Sequence, residues 1–118
     1  MHTRKCYRSS ETQVVRSAAV SACRSWRRDA VIVSIPDDKT NDFVLEIVNF
    51  RSWISLEKKG SYWYWADGSK ATYLYWGGGE PSGDGNYAEL RLDTTTSPGV
   101  WNDLESNHKR GFVCQYTP

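Results

Sequence analysis

A glycine-rich stretch between residues 76 and 90 carries two carboxylates and a hydroxyl, on Glu80, Ser82 and Asp84. A second pair of side-chain oxygens, on Asn102 and Asp103, follows about twenty residues later at an expected strand end. Calcium takes roughly 6–8 oxygen ligands from carboxylates, amides, hydroxyls and water, and it tolerates irregular geometry. These residues therefore predict a calcium site, although glycine, serine, aspartate and asparagine also make up ordinary surface turns.

The same carboxylates allow a second reading, in which the protein is an enzyme. Glu80, Glu89 and Asp103 could supply the pair of a glycosidase, which needs two carboxyl groups roughly 5–10 Å apart. A carboxylate held ionised by calcium is a poor general acid, so we expect binding rather than catalysis. Glu89 alternates toward the loop side of its strand, where it either supports the ligands from behind or is exposed.

Length and charge restrict the choice of partner. The chain has 118 residues and a formal net charge of +1, from 15 lysines and arginines against 14 aspartates and glutamates. This length suits a single domain over residues 1–118 with one hydrophobic core. The balanced charge has no field of one sign to attract a polyanion, so we do not expect nucleic acid as a partner. No apolar run approaches the roughly twenty residues that span a bilayer, so we expect no membrane insertion.

Three cysteines are placed unevenly along the chain. A bridge between Cys23, in a helical pattern, and Cys114, in the last apolar run, would tie the two ends of the chain together. Cys6 would then be left for a cysteine elsewhere or as a free thiol. The alternative is three reduced cysteines in a reducing compartment.

Apolar spacing predicts a strand, two helices, and then strands arranged around a long loop, which is an α+β arrangement. Ser10 and Gln13 form a capping box that opens the first helix, and Thr40 is expected to cap the second. Residues 111–116 form the last strand and are expected to pair with residues 5–7. Little regular structure is expected from residue 66 to about 85, and a threonine-rich turn is expected at residues 93–99.

Several motifs, in their order and spacing along nearly the whole chain, resemble those of a C-type lectin-like domain. They are Lys5-Cys6-Tyr7, Trp53-Ile54-Ser55-Leu56, Trp63-Tyr64-Trp65-Ala66-Asp67-Gly68, Trp76 before Gly79-Glu80-Pro81-Ser82, Trp101-Asn102-Asp103 and Phe112-Val113-Cys114. The resemblance implies a double-loop α+β domain with two helices, small antiparallel sheets and a long irregular loop over about residues 66–103. It also implies a disulfide between Cys23 and Cys114 and a cis peptide bond before Pro81.

The resemblance assigns roles to the oxygen-bearing residues and makes calcium the expected cofactor. It implies that Glu80, Ser82, Asn102 and Asp103 bind both the ion and a sugar. Asp84 is the nearest substitute for a further acidic ligand, since the corresponding position is Gly85.

Two positions depart from the family pattern. Tyr87 and Ser106 stand where a second disulfide would be, so we expect calcium to order the loop more strongly than in bridged relatives. Ser82 replaces the usual amide and cannot donate as an asparagine NH₂ does. A mannose- or fucose-type glycan and a galactose-type glycan therefore both remain open as ligands.

Together these features predict a calcium-dependent lectin domain that recognises vicinal hydroxyls of a terminal sugar, on cell-surface or microbial glycans as in innate immunity. Such a domain would be secreted or part of an ectodomain. A shallow site binds weakly, so a homo-oligomer would supply avidity. The alternative is a domain of the same fold that binds a protein partner without calcium or sugar.

Overall fold

The computed structural model describes residues 4–92 and 98–118. Its elements in chain order are β1 (Cys6–Ser9), α1 (Arg16–Trp26), β2 (Val31–Ile32), α2 (Asp38–Ile47), β3 (Ser52–Lys59), β4 (Tyr62–Tyr64), β5 (Tyr87–Leu90), β6 (Trp101–Leu104) and β7 (Gly111–Tyr116). The predicted α+β class is confirmed. Of the turn expected at residues 93–99, residues 93–97 lie outside the described part of the chain.

The strands form one connected mixed sheet in the order β1-β7-β3-β5-β6, with β2 added on β7 and β4 on β3. Strand β7 pairs antiparallel with β1, as expected, and this pairing places Cys6 opposite Tyr116. It pairs parallel with β3, so the sheet is not purely antiparallel. Because β7 lies between β1 and β3, it joins the first strand to the strands that carry the site.

Tryptophans dominate the core that supports the long loop. Trp101 is fully buried, and Trp63 and Trp65 are nearly so, while Tyr62, the residue before Trp63, is half exposed. Buried tryptophans thus alternate with more exposed tyrosines over residues 62–65, as side chains do along a strand. The ring nitrogen of Trp101 donates to the Asn41 side chain on α2 at 2.8 Å, which fixes the start of β6.

Both helices begin differently from the prediction. Helix α1 starts at Arg16 after Val15, which makes no side-chain cap. The predicted capping box is wrong because the Ser10 hydroxyl accepts from the Phe112 backbone N–H at 2.9 Å and so fastens the chain to β7. Helix α2 is capped by Asp37, which accepts from the backbone N–H of Thr40 at 2.8 Å. Thr40 is therefore the donor in this cap and the prediction that it caps the helix is wrong.

A disulfide joins Cys23 on α1 to Cys114 on β7, across a sequence separation of 91 residues. Both cysteines are buried in a second core cluster with Trp53 and Phe112. Cys6 is a half-buried free thiol. Neither helix in the described part of the chain has the length and apolarity needed to cross a membrane.

Candidate calcium and ligand site

The site lies where β6 meets the irregular loop before β5. Strands β5 and β6 pair antiparallel, with Ala88 opposite Asp103 and Glu89 opposite Asn102. The loop is fastened to β6 by the Gly77 N–H, which donates to the Trp101 carbonyl at 2.9 Å. A turn follows in which the Glu80 N–H donates to the Gly77 carbonyl at 3.0 Å. The Glu80–Pro81 peptide bond is cis, as the resemblance implied.

Asp103 lies on β6, is only 1% exposed, and accepts hydrogen bonds from the backbone of the loop. Its Oδ1 accepts from the Ser82 backbone N–H at 3.0 Å. Its Oδ2 accepts from the N–H groups of Gly83 at 3.0 Å and Asp84 at 2.9 Å, and more weakly from that of Gly85 at 3.4 Å. One carboxylate therefore holds four successive backbone N–H groups in place.

Gly85 is required by the close approach of two backbone segments. A Cβ at this position would lie 2.1 Å from the Leu104 carbonyl carbon and 2.4 Å from the Glu105 nitrogen. No side chain fits between these backbone atoms, so an acidic ligand cannot occupy position 85 on this loop path.

Three of the predicted ligands come together. Glu80, Asp84 and Asp103 each present a carboxylate oxygen, and these oxygens lie within 4.8 Å of one another. The Ser82 hydroxyl donates to Asp84 at 2.6 Å and lies 3.3 Å from Asp103, so it connects two of the carboxylates. Like charges this close repel one another unless a proton or a cation lies between them.

The pKa values of the two inner carboxyl groups move in opposite directions. Burial raises the pKa of Glu80, and the adjacent Asp103 carboxyl adds to the rise. Burial also acts to raise the pKa of Asp103, but hydrogen bonds from the Ser82 backbone and the Glu80 side chain outweigh it and lower the pKa. Without a cation, a shared proton therefore resides on Glu80.

The donor set fits calcium. Glu80 Oε1 is buried and has no hydrogen-bond partner among the described residues. An orphaned carboxylate oxygen is costly unless something else satisfies it. Carboxylate and hydroxyl oxygens are the hard ligands that calcium prefers.

Asn102, the remaining predicted ligand, belongs to a different network. Its side-chain NH₂ donates to Glu89 Oε2 at 2.8 Å. Glu89 is fully buried, and its Oε1 accepts from Arg110 Nε at 2.6 Å and lies 3.6 Å from Arg51 Nε. Of the two readings of Glu89, the exposed one is wrong. The alternation of side chains along β5 indicates an inward-facing Glu89. Nothing in the sequence indicates that Arg110 and Arg51 are its partners.

The sequence model of the Lectin C-type domain family matches residues 12–116 of the chain. The chain belongs to the C-type lectin family. This lectin domain is 31% identical to lectin BRA-3 of Megabalanus rosa over 116 residues, which cover 93% of the chain and 70% of BRA-3. It is 32% identical to CD209 antigen-like protein A of Mus musculus over 119 residues, covering 93% of the chain but 47% of that protein. The lectin domain thus spans less than half of the murine relative.

The fold of this lectin domain is shared with solved structures. It is similar to the C-type lectin domain of murine dendritic cell inhibitory receptor 2, crystallised in complex with an N-glycan, with a TM-score of 0.86. The two chains are 22% identical, and the match covers 100% of this chain and 94% of the other. The structural similarity confirms the lectin fold.

Proposed function

We propose that this domain binds carbohydrate through a calcium ion held by Glu80, Ser82, Asp84, Asn102 and Asp103. The observation that carries the proposal is the buried Glu80 Oε1, which lacks a protein partner and belongs to three carboxylates within 4.8 Å. When bound, calcium would accept lone pairs from two neighbouring sugar hydroxyls.

The chain's own residues would orient the sugar. Ionised carboxylates at Glu80 and Asp84 offer acceptors for hydroxyl protons, and Asp84 is exposed to solvent. Ser82 uses its proton on Asp84, so the hydroxyl can accept a hydrogen bond but does not donate one to a ligand. A site with many acceptors and few donors favours hydroxyls that donate. Mannose- or fucose-type and galactose-type glycans are both compatible with this pattern.

The proposal extends to the setting of the domain. We propose that residues 1–118 act as one domain, outside the cell or as part of an ectodomain, in recognition of cell-surface or microbial glycans. The Cys23–Cys114 disulfide supports an oxidising compartment. The family is generally not enzymatic, and we propose binding without catalysis. Because one shallow site binds weakly, several copies in a homo-oligomer would give useful avidity.

A second function is favoured by one observation. Asp103 holds the backbone of residues 82–85 through hydrogen bonds that occupy both of its carboxylate oxygens. A loop that is ordered in this way could present a surface to a protein partner with no need for calcium or sugar.

Thermal unfolding in calcium and in chelator separates the two functions. An ion that binds only the folded state raises its stability by about 2.7 kcal/mol at a hundred times the dissociation constant. We expect calcium to raise the Tm of the parent chain and of Glu46→Gln, a control at an exposed carboxylate on α2. Glu80→Gln should lose the response. A glycan panel in calcium then identifies the sugar. Equal Tm values of the parent chain at millimolar calcium and in chelator would refute calcium binding and favour a protein ligand.

A further inference from the structure

The buried carboxylate of Glu89 determines which end of the Asn102 amide can face a cation. The Asn102 NH₂ points at Glu89 Oε2 at 2.8 Å. An ionised carboxylate offers only acceptors, so it can take the NH₂ end of the amide but never the oxygen end. The amide oxygen is therefore turned away from Glu89, and Asn102 itself is half-buried.

Glu89 is itself held from two directions. Arg110 Nε donates to Oε1 at 2.6 Å, which leaves Oε2 for Asn102. Arg51 Nε lies 3.6 Å from the same oxygen, Glu89 Oε1. These guanidinium groups supply the counter-charge of a carboxylate that is 0% exposed, and they fix its rotation about the last side-chain bond.

We infer that Glu89 is a positioning residue, which presents the Asn102 amide oxygen to the calcium ion. The inference rests on the proposed function, because Asn102 must be a ligand for its orientation to matter. An amide free to rotate would offer its NH₂ to the ion for part of the time, and this orientation cannot bind a cation. Partners that orient a metal ligand typically contribute 10–100-fold to metal affinity.

The geometry allows a test in which the hydrogen bond is reversed. In Glu89→Gln, the amide oxygen can stay with Arg110 and its NH₂ then faces the NH₂ of Asn102, so the bond is lost. In Asn102→Asp, two carboxylates face each other. In the combined variant, the NH₂ at position 89 donates to the carboxylate at position 102, and the bond is restored with the opposite polarity.

Calcium affinity is measured by isothermal titration calorimetry in the four proteins of this cycle. We expect Glu89→Gln to weaken calcium binding by about 10–100-fold in the parent chain. The same change should strengthen binding in the Asn102→Asp background. Glu46→Gln removes an exposed carboxylate of the same charge and should leave the affinity unchanged. An equal loss in both backgrounds, or no loss in the parent chain, would overturn the inference.

A readout without calcium isolates the hydrogen bond. In chelator, the side-chain NH₂ protons of Asn102 should exchange slowly by nuclear magnetic resonance, and Glu89→Gln should make them exchange quickly. Should Glu89→Gln not fold, the combined variant is compared with Asn102→Asp: tighter calcium binding in the combined variant supports the inference, and equal or weaker binding overturns it. If the parent chain binds no calcium, the proposed function fails and the inference with it. If the parent chain binds and Glu89→Gln binds equally well, only the inference fails.

Discussion

Replacing Asp103 with asparagine should release the loop in the absence of calcium. The carboxylate of Asp103 accepts the backbone N–H groups of residues 82–85 on its two oxygens. An amide keeps only one oxygen, and its NH₂ group must face donors on the other side. The best remaining arrangement keeps the oxygen near Gly83 and Asp84, so that the Ser82 N–H loses its acceptor.

The expected cost follows from these contacts. A hydrogen bond to a charged group contributes about 1.5–3 kcal/mol, and a neutral acceptor contributes about half as much. One lost bond and two weakened bonds would exceed 3 kcal/mol together, but the N–H groups of this exposed loop can turn to water. We therefore expect about 3 kcal/mol for local opening, which corresponds to about a hundredfold change in the opening equilibrium.

Amide hydrogen exchange in chelator measures this opening directly. Protection of the amides of residues 82–85 should fall about a hundredfold in Asp103→Asn, while that of β7 should stay unchanged. Asp84→Asn removes the same charge, but this exposed side chain accepts only the Ser82 hydroxyl among the described residues, so it serves as the matched control. The pKa of Asp103 is lowered, so its contribution is complete at neutral pH and is lost only as pH falls through that lowered value.

Equal protection in Asp103→Asn and in the parent chain would refute this account. It would mean that Asp103 does not order the loop in chelator. Equal high protection would assign the order to other contacts within the protein, and equal lack of protection would leave calcium as its source, as the sequence predicts.

Three further outcomes can be measured on the same chain. Replacing Cys23 and Cys114 by alanine should lower the free energy of unfolding by about 4–5 kcal/mol, as seen in a urea titration, because the bond closes a loop with a sequence separation of 91 residues. Asp37→Ala should cost about 1 kcal/mol through loss of the α2 cap, with an unchanged m-value. The pKa of Glu80 is raised in the folded state, so its contribution to stability in chelator is complete below the ordinary value of 4.5 and is lost as pH rises through the raised value. Glu80→Gln should remove this part of the pH dependence, and an unchanged profile would contradict it.

Local patterns predicted the elements better than their ends. The strand at residues 111–116 was expected from its apolar run and has these bounds in the structure. The start of α1 was predicted wrongly. The Ser10 hydroxyl, which fits a capping box, accepts instead from the backbone N–H of Phe112, 102 residues away. A sequence pattern cannot weigh a local cap against a partner so distant along the chain.

The same limit applies to the site. Glu80, Ser82 and Asp84 stand close together in sequence, and their meeting with Asp103 follows from the pairing of β5 with β6. The contacts of Glu89 could not be predicted from the sequence. Its burial depends on Arg110 and Arg51, which reach it from separate segments and show no pattern that links them to β5.

The disulfide also determines how the domain would respond to a pulling force. Strands β1 and β7 are adjacent and antiparallel, so a force that pulls the two chain ends apart would break their pairing one residue pair at a time. The force would then pass from Cys23 to Cys114 through the covalent bond. The residues between these cysteines in sequence, which include the loop that Asp103 holds, would not transmit this force. A force applied at the two ends of this chain would therefore stretch the segments outside the two cysteines and leave residues 24–113 without tension.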